Sequence, residues 1–216
     1  MRPNLALSLS TSEVVLYVSS DDGWQRLGRV SLEGRNLGLQ MAVLRRIAQS
    51  FSDSEALDSL ICIPADQVMW RRLDADGVGA APGQVAAHIR RMLEDATPYP
   101  VAELRIDWRR SGAGIDAAAL PAQTLAEVEE FCAAHGFRPL GVAALPAADD
   151  PFEGTAWFGL GAAPPAPDGR EVVAAPHPGN IVTLDTALPM APAEPAGPAA
   201  EPVPPPAPAA PRPGVP

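Results

Sequence analysis

The chain has 216 residues, among them 26 Pro and 18 Gly, and a formal net charge of −10. Its 16 basic residues are all Arg. This excludes every mechanism built on a lysine amine: the phosphate-loop, Schiff-base and kinase lysines. Residues 1–150 carry 20 acids and 14 Arg, and residues 151–216 carry six acids and two Arg, so both parts repel nucleic acid and gain nothing at anionic lipid.

Residues 5–10 alternate apolar and small polar side chains, the pattern of a first strand. Residues 14–18 are β-branched and aromatic and predict a second. Asp21-Asp22-Gly23 marks a turn, and residues 24–30 form a third strand, completing a meander. From Asn36 the period lengthens. Leu37, Met41, Leu44, Ala48 and Phe51 make one apolar helical stripe. Residues 57–63, stopped by Pro64, suit a buried parallel strand. Residues 68–73 are another strand. Val85, Ile89, Met92, Leu93 and Ala96 mark a second helix, ended by Pro98. Residues 101–109 predict a strand with Leu104, Ile106 and Trp108 on one face, and residues 115–120 a further one. Thr124 and Glu127 have the spacing of a capping box for a third helix, whose stripe is Leu125, Val128, Phe131, Cys132 and His135. Gly136 sits where a left-handed C-cap belongs. Residues 140–145 are the last strand. The order β-β-β-α-β-β-α-β-β-α-β predicts an α/β fold: a mixed sheet with a β-meander start and helices packed on it.

Eight prolines lie in residues 1–150 and eighteen in residues 151–216. Composition therefore divides the chain into a globular domain at 1–147 and a Pro/Ala-rich tail at 148–216. The tail is expected to be disordered, because it cannot bury enough apolar surface to offset its ordering entropy. Two islands interrupt it. Residues 152–160 gather Phe152, Trp157 and Phe158, either as a docking motif or as a segment folded back onto the domain. Residues 181–184 are a short β-prone patch.

Chemistry-bearing patterns are sparse. Cys62 sits in an apolar run and Cys132 on a helical pattern, so two buried free thiols are expected; without CxxC, a cysteine metal site is not. His88, His135 and His177 lack metal-ligand spacing. Asp107 and Asp116 fall in separate strands, with no partner that local pattern can place. HExxH, GxSxG and GxGxxG do not occur. The expectation is a non-enzyme with no catalytic residue, no cofactor and no metal. No signal-peptide core follows Met1, and no apolar stretch approaches the ~18–20 residues of a membrane span; a cytoplasmic chain with no direct membrane span is expected.

One tripeptide recurs. Trp70-Arg71-Arg72 and Trp108-Arg109-Arg110 each end a strand. Alternation puts Trp70 with Arg72, and Trp108 with Arg110. If the two strands pair, the four side chains form one aromatic–basic interaction patch, and Trp and Arg are common interface anchors. Otherwise each Trp fills the core and each Arg pairs with Asp74, Asp76 or Asp107.

Several phrases resemble the cytoplasmic domain of the type II secretion system protein L family and the PilM-type assembly proteins of type IV pili. They are Leu60-Ile61-Cys62-Ile63-Pro64-Ala65-Asp66-Gln67-Val68, then Leu93-Glu94-Asp95-Ala96-Thr97-Pro98-Tyr99 with Glu103-Leu104, and residues 125–136 followed by Phe137-Arg138-Pro139-Leu140. The resemblance spans roughly residues 5–146. It implies an actin-like, ribonuclease H-like subdomain with a small inserted β-α-β unit. It also implies protein partners, among them inner-membrane secretion or pilus components. Nucleotide-binding members resemble one another in an Asp-x-Gly-Ser first hairpin; here Ser8 stands for the Asp and Ser10 for the Gly. Three readings result: a non-catalytic scaffold recruited to the inner face of the membrane through its partners, a stand-alone interaction protein working through its tail, and a degenerate actin-like ATPase.

Overall fold

The structure is a computed structural model and describes residues 4–52, 56–94, 96–160, 175–177 and 181–182. The chain divides into two compact units, Met1–Asp185 and Thr186–Pro216; every described residue lies in the first. The expected disorder of the tail falls outside the described residues, apart from the segments reported below.

The elements are β1 (Leu5–Leu9), β2 (Glu13–Ser20), β3 (Gly23–Ser31), α1 (Leu37–Gln49), β4 (Leu57–Ile63), β5 (Met69–Asp74), α2 (Pro82–Leu93), β6 (Leu104–Ser111), β7 (Gly114–Pro121), α3 (Ala122–Ala134), β8 (Phe137–Ala144), β9 (Ala156–Phe158) and β10 (Ile181–Val182). They form an α/β fold with two sheets, ordered β10-β3-β2-β1-β4-β8-β9 and β5-β7-β6. Through β8 the element order is the one expected, with the insertion as a separate small sheet. The larger sheet is mixed: β1 is antiparallel to β2 and parallel to β4, and β4 is parallel to β8.

Side-chain alternation explains the layers. Leu5 and Leu7 of β1 enter one core and Ala6 enters another. Strand β4 reads as a continuous apolar run because both its faces are covered: Leu57, Leu60, Ile61, Cys62 and Ile63 are all buried. On the first face lie α1, through Met41, Leu44 and Ala48, and α3, through Leu125, Val128 and Cys132. On the second face Trp24, Leu60, Cys62 and Ala143 pack with Ala175. In the small sheet, α2 covers one face, setting Val85, Ile89 and Leu93 against Leu73, Leu104, Ile115, Ala117 and Ala119. Leu104, Ile106 and Trp108 share that face as alternation requires.

Three expectations need correction. The third helix begins at Ala122, with Pro121 at its N-cap and no side-chain cap. Pro121 has no N–H to satisfy and a φ already suited to helix entry, so the helix starts before Thr124 is reached; Glu127 accepts instead from Gln123 Nε2 at 2.9 Å. Phe51 lies past the end of α1 and is 44% exposed. The domain does not stop at 147. Phe152, Ala156 and Phe158 are 3%, 0% and 2% exposed in the first core, and β9 pairs antiparallel with β8. Average composition hides this, because two Phe rings bury more apolar area than the prolines and alanines around them. Residues 152–158 are thus folded back onto the domain. From the second island, Ile181 and Val182 pair parallel with Trp24 and Gln25 as β10; Thr183 and Leu184 lie outside the described residues.

A chain truncated after Ala147 loses those two buried Phe side chains. At ~1.5–3 kcal/mol each the loss should lower the melting temperature by at least about 6 °C, measured by circular dichroism. An unchanged melting temperature would contradict the boundary.

Both cysteines are free and buried. Burial pushes the Cys62 thiol up to about 12, and burial with nearby Glu129 does the same for Cys132. Unfolded thiols ionise near ~8.5. Between that pH and about 12 the folded chain keeps protons that the unfolded chain releases, so stability falls as pH rises. Tyr17, raised mainly by burial, acts in the same direction. The denaturant midpoint should therefore drop from pH 8 towards pH 10, and native thiols should react with a disulfide reagent far more slowly than unfolded ones. Fast labelling of either native thiol would refute this.

Candidate functional site

The face of the small sheet opposite α2 carries most of the chain's singled-out residues. Register decides which. Trp70 lies opposite Ala118, and Ala118 opposite Asp107; Arg72 lies opposite Asp116, and Asp116 opposite Arg109. These six share one face. Trp108 pairs with Ala117 and Arg110 with Ile115, on the α2 face. The two tripeptides therefore form no common patch: β7 stands between their strands, and the register puts Trp70 and Arg72 on the face opposite Trp108 and Arg110.

What the first face does is grip the segment 151–157. Trp70 is 7% exposed, and its Nε1 donates to the Ala65 carbonyl at 2.9 Å. Its ring lies 5.3 Å from that of Phe152. The Arg109 guanidinium sits 4.8 Å above the Phe152 ring and donates through Nη1 and Nη2 to the carbonyls of Glu153 and Thr155. Between those carbonyls, Gly154 has φ +73°, and a Cβ there would meet Arg109 Nη1 at 2.9 Å; both backbone sign and space require glycine. Asp107 Oδ2 accepts from the Trp157 backbone N–H at 2.9 Å. Arg72 binds Asp116 bidentately at 2.7 and 2.9 Å, and its Nη2 also reaches the Pro151 carbonyl at 3.2 Å. The Asp116 side chain is 2% exposed and that of Arg72 57%.

The remaining candidates are placed differently. Arg110 is exposed and donates to the carbonyls of Val78 and Gly79 at 3.2 and 2.7 Å. Trp108 is half-buried at the margin of the α2 core. Phe158 fills the first core, while Trp157 points to the second face. The partners expected for the arginines, Asp74, Asp76 and Asp107, are replaced by Asp116 and backbone carbonyls. Asp107, Arg109 and Asp116 were missed as a set, since their contacts span 44 to 50 residues. The glycine just after Phe152-Glu153 was the one local signal.

The first hairpin is a second place of interest. Ser10 Oγ donates to the Glu13 carbonyl at 3.0 Å, and accepts from the N–H groups of Ser12 at 3.3 Å and Glu13 at 3.0 Å. The amides of Ser12 and Glu13 are thus bound to the turn's own side chain. Beside it lies a cleft of about 200 Å³ lined by Leu9, Ser10, Val14, Leu32, Thr124, Glu127, Val128 and Phe131. Among the described residues no group of three or more His, Cys, Asp or Glu could hold a metal ion, and no helix is long and apolar enough to cross a membrane.

No protein-family model matches the chain, and no curated protein does. Solved structures do. One is the cytoplasmic domain of EpsL, an inner-membrane component of the type II secretion system of Vibrio cholerae, at 16% identity and a TM-score of 0.48, covering 66% of this chain and 56% of that one. Another is a PilM–PilN type IV pilus biogenesis complex, at 17% identity and a TM-score of 0.45, covering 64% and 46%. A third is a Bacteroides thetaiotaomicron protein with an actin-like ATPase fold and unknown function, at 13% identity and a TM-score of 0.32, covering 62% and 50%. The chain thus spans about half the length of these structures. The first two come from the systems that the sequence phrases resemble.

For the gripping face, Arg72→Ala strips a buried carboxylate of its donors and should lower the melting temperature. Adding Asp116→Asn should recover part of that loss, giving a clear coupling in a double-mutant cycle. Strictly additive losses would show that Asp116 does not depend on Arg72.

Proposed function

We propose that this chain is a non-catalytic adaptor, working through protein–protein contacts in an assembly of the type II secretion or type IV pilus kind. The observation that carries the reading is the Ser10 turn. In an actin-like hairpin that holds nucleotide, turn amides face phosphate. Here Ser10 Oγ takes those of Ser12 and Glu13, and the adjoining cleft is lined mainly by aliphatic and aromatic side chains with the carboxylate of Glu127. A nucleotide's phosphates would meet the Glu127 carboxylate and a turn in which two amides are already bound. The sequence phrases at residues 60–68, 93–104 and 125–140 supply the assembly, and the net charge of −10 weighs against nucleic acid as partner. An adaptor of this kind acts on the cytoplasmic side and reaches the inner membrane through its partners. The same turn weighs against the degenerate ATPase.

Calorimetry with millimolar Mg-ATP should be flat. In the natural host, deletion of the gene should stop secretion or piliation, and a Ser10→Ala chain should restore it. A saturable heat of ATP binding that Ser10→Ala abolishes would overturn the reading.

A further inference from the structure

The second face of the larger sheet is shaped to hold an extended chain. Small buried residues line its middle: Ala6 of β1, Cys62 of β4 and Ala143 of β8. Rings stand on either side of them in the same apolar cluster. Trp24 of β3 and Tyr17 of β2 lie towards one edge, and Trp157 of β9 lies at the other. Register fixes this order: Ala6 is opposite Tyr17, Cys62 opposite Ala143, and Ala143 opposite Trp157. The strands carrying Tyr17 and Trp157 are separated by four spacings, about 19 Å at ~4.8 Å each. Small side chains let a backbone approach the sheet closely, and aromatic walls suit the flat faces of proline rings.

The chain sets a segment of its own there. Ala175 is buried in the cluster with Trp24, Leu60, Cys62 and Ala143, and the next residue, Pro176, is buried as well. Ile181 and Val182 then pair with Trp24 and Gln25 as β10. Strand β9 lies at one edge of the sheet and β10 at the other. The chain thus leaves the sheet at one edge, meets its middle at Ala175 and rejoins it at the far edge. The sequence there is Ala174-Ala175-Pro176-His177-Pro178-Gly179-Asn180-Ile181-Val182, a Pro-x-Pro run followed by a β-branched pair.

We infer that the second face is a binding groove for an extended Ala-Pro segment, that Ala175 and Pro176 are its ligand in cis, and that a proline-containing segment of a partner protein displaces them. Proline suits such a ligand, because a chain already held extended loses little conformational freedom on binding. A ligand tethered through its own chain acts at an effective concentration on the order of mM. The groove therefore answers only to a partner segment that binds strongly enough to overcome this competition. The inference does not rest on the adaptor reading, because a chain that bound nucleotide at the first hairpin could carry the same groove.

The test uses the full chain, with Cys62 as reporter and Cys132, which lies in the first core, as internal control. Ala175→Glu sets an unpaired carboxylate in the apolar cluster and should release the cis segment, so that a disulfide reagent labels Cys62 about tenfold faster or more. Cys132 should stay slow. The peptide acetyl-Ala-Ala-Pro-His-Pro-Gly-Asn-Ile-Val-amide, added at millimolar concentration, should restore the slow rate saturably. A peptide with Gly in place of both prolines should not. If both thiols of the variant label fast, the fold itself is lost, and Pro176→Gly, which adds no charge, replaces it in the same measurement. Unchanged Cys62 labelling, or faster labelling that the proline peptide fails to slow, would overturn the inference. Equal rescue by the Gly peptide would also overturn it, because the face would then take any extended chain.

Discussion

The guanidinium of Arg109 ties the small sheet to the edge of the larger one. It projects from β6, lies over the Phe152 ring and holds the carbonyls of Glu153 and Thr155. A planar fork with several fixed donors can serve two carbonyls and a ring face at once, which a lysine ammonium cannot. Two residues earlier on the same face, Asp107 fixes the Trp157 N–H. The segment so held delivers Phe152 and Phe158 to the first core and sets β9 against β8. The edge of β8 is thereby covered, and the insertion is anchored through backbone contacts rather than through side-chain packing alone.

The composition of β7 follows from its position. It is the middle strand of the small sheet, and Ala117, Ala118 and Ala119 are all buried. Each of the first two stands beside a tryptophan: Ala118 beside Trp70 and Ala117 beside Trp108, on opposite faces. Small residues there leave room for the indoles. The buried carboxylate of Asp116 in the same strand is tolerable only with a charged donor beside it, and Arg72 fills that role from the neighbouring strand.

The local periods were enough to place eleven elements in order, because each segment's apolar spacing answers to its own burial. Met41, Leu44 and Ala48 could be read as one stripe without knowing what they face. Contacts between distant segments could not be read. The recurrence of Trp-Arg-Arg pointed to a shared surface, yet whether Trp70 and Trp108 face the same way depends on the register of β5, β7 and β6, which no local pattern encodes. The same holds for Arg72 with Asp116 and for Arg109 with residues 153–155. The boundary at 147 followed the average composition of 148–216, whose prolines and alanines outnumber the aromatics, while for residues 152–160 docking and folding back stayed open.

The chain carries sixteen arginines and no lysine, and its two thiols are enclosed by the cores. Chemically, such a surface offers neither a side-chain amine to acylate nor an accessible thiolate to alkylate or oxidise. Guanidinium groups stay charged over the whole physiological range, so the sixteen arginine charges do not respond to pH there. Changes of acidity within that range leave these positive charges in place, and regulation through lysine acylation or surface-thiol oxidation would have to act on a partner.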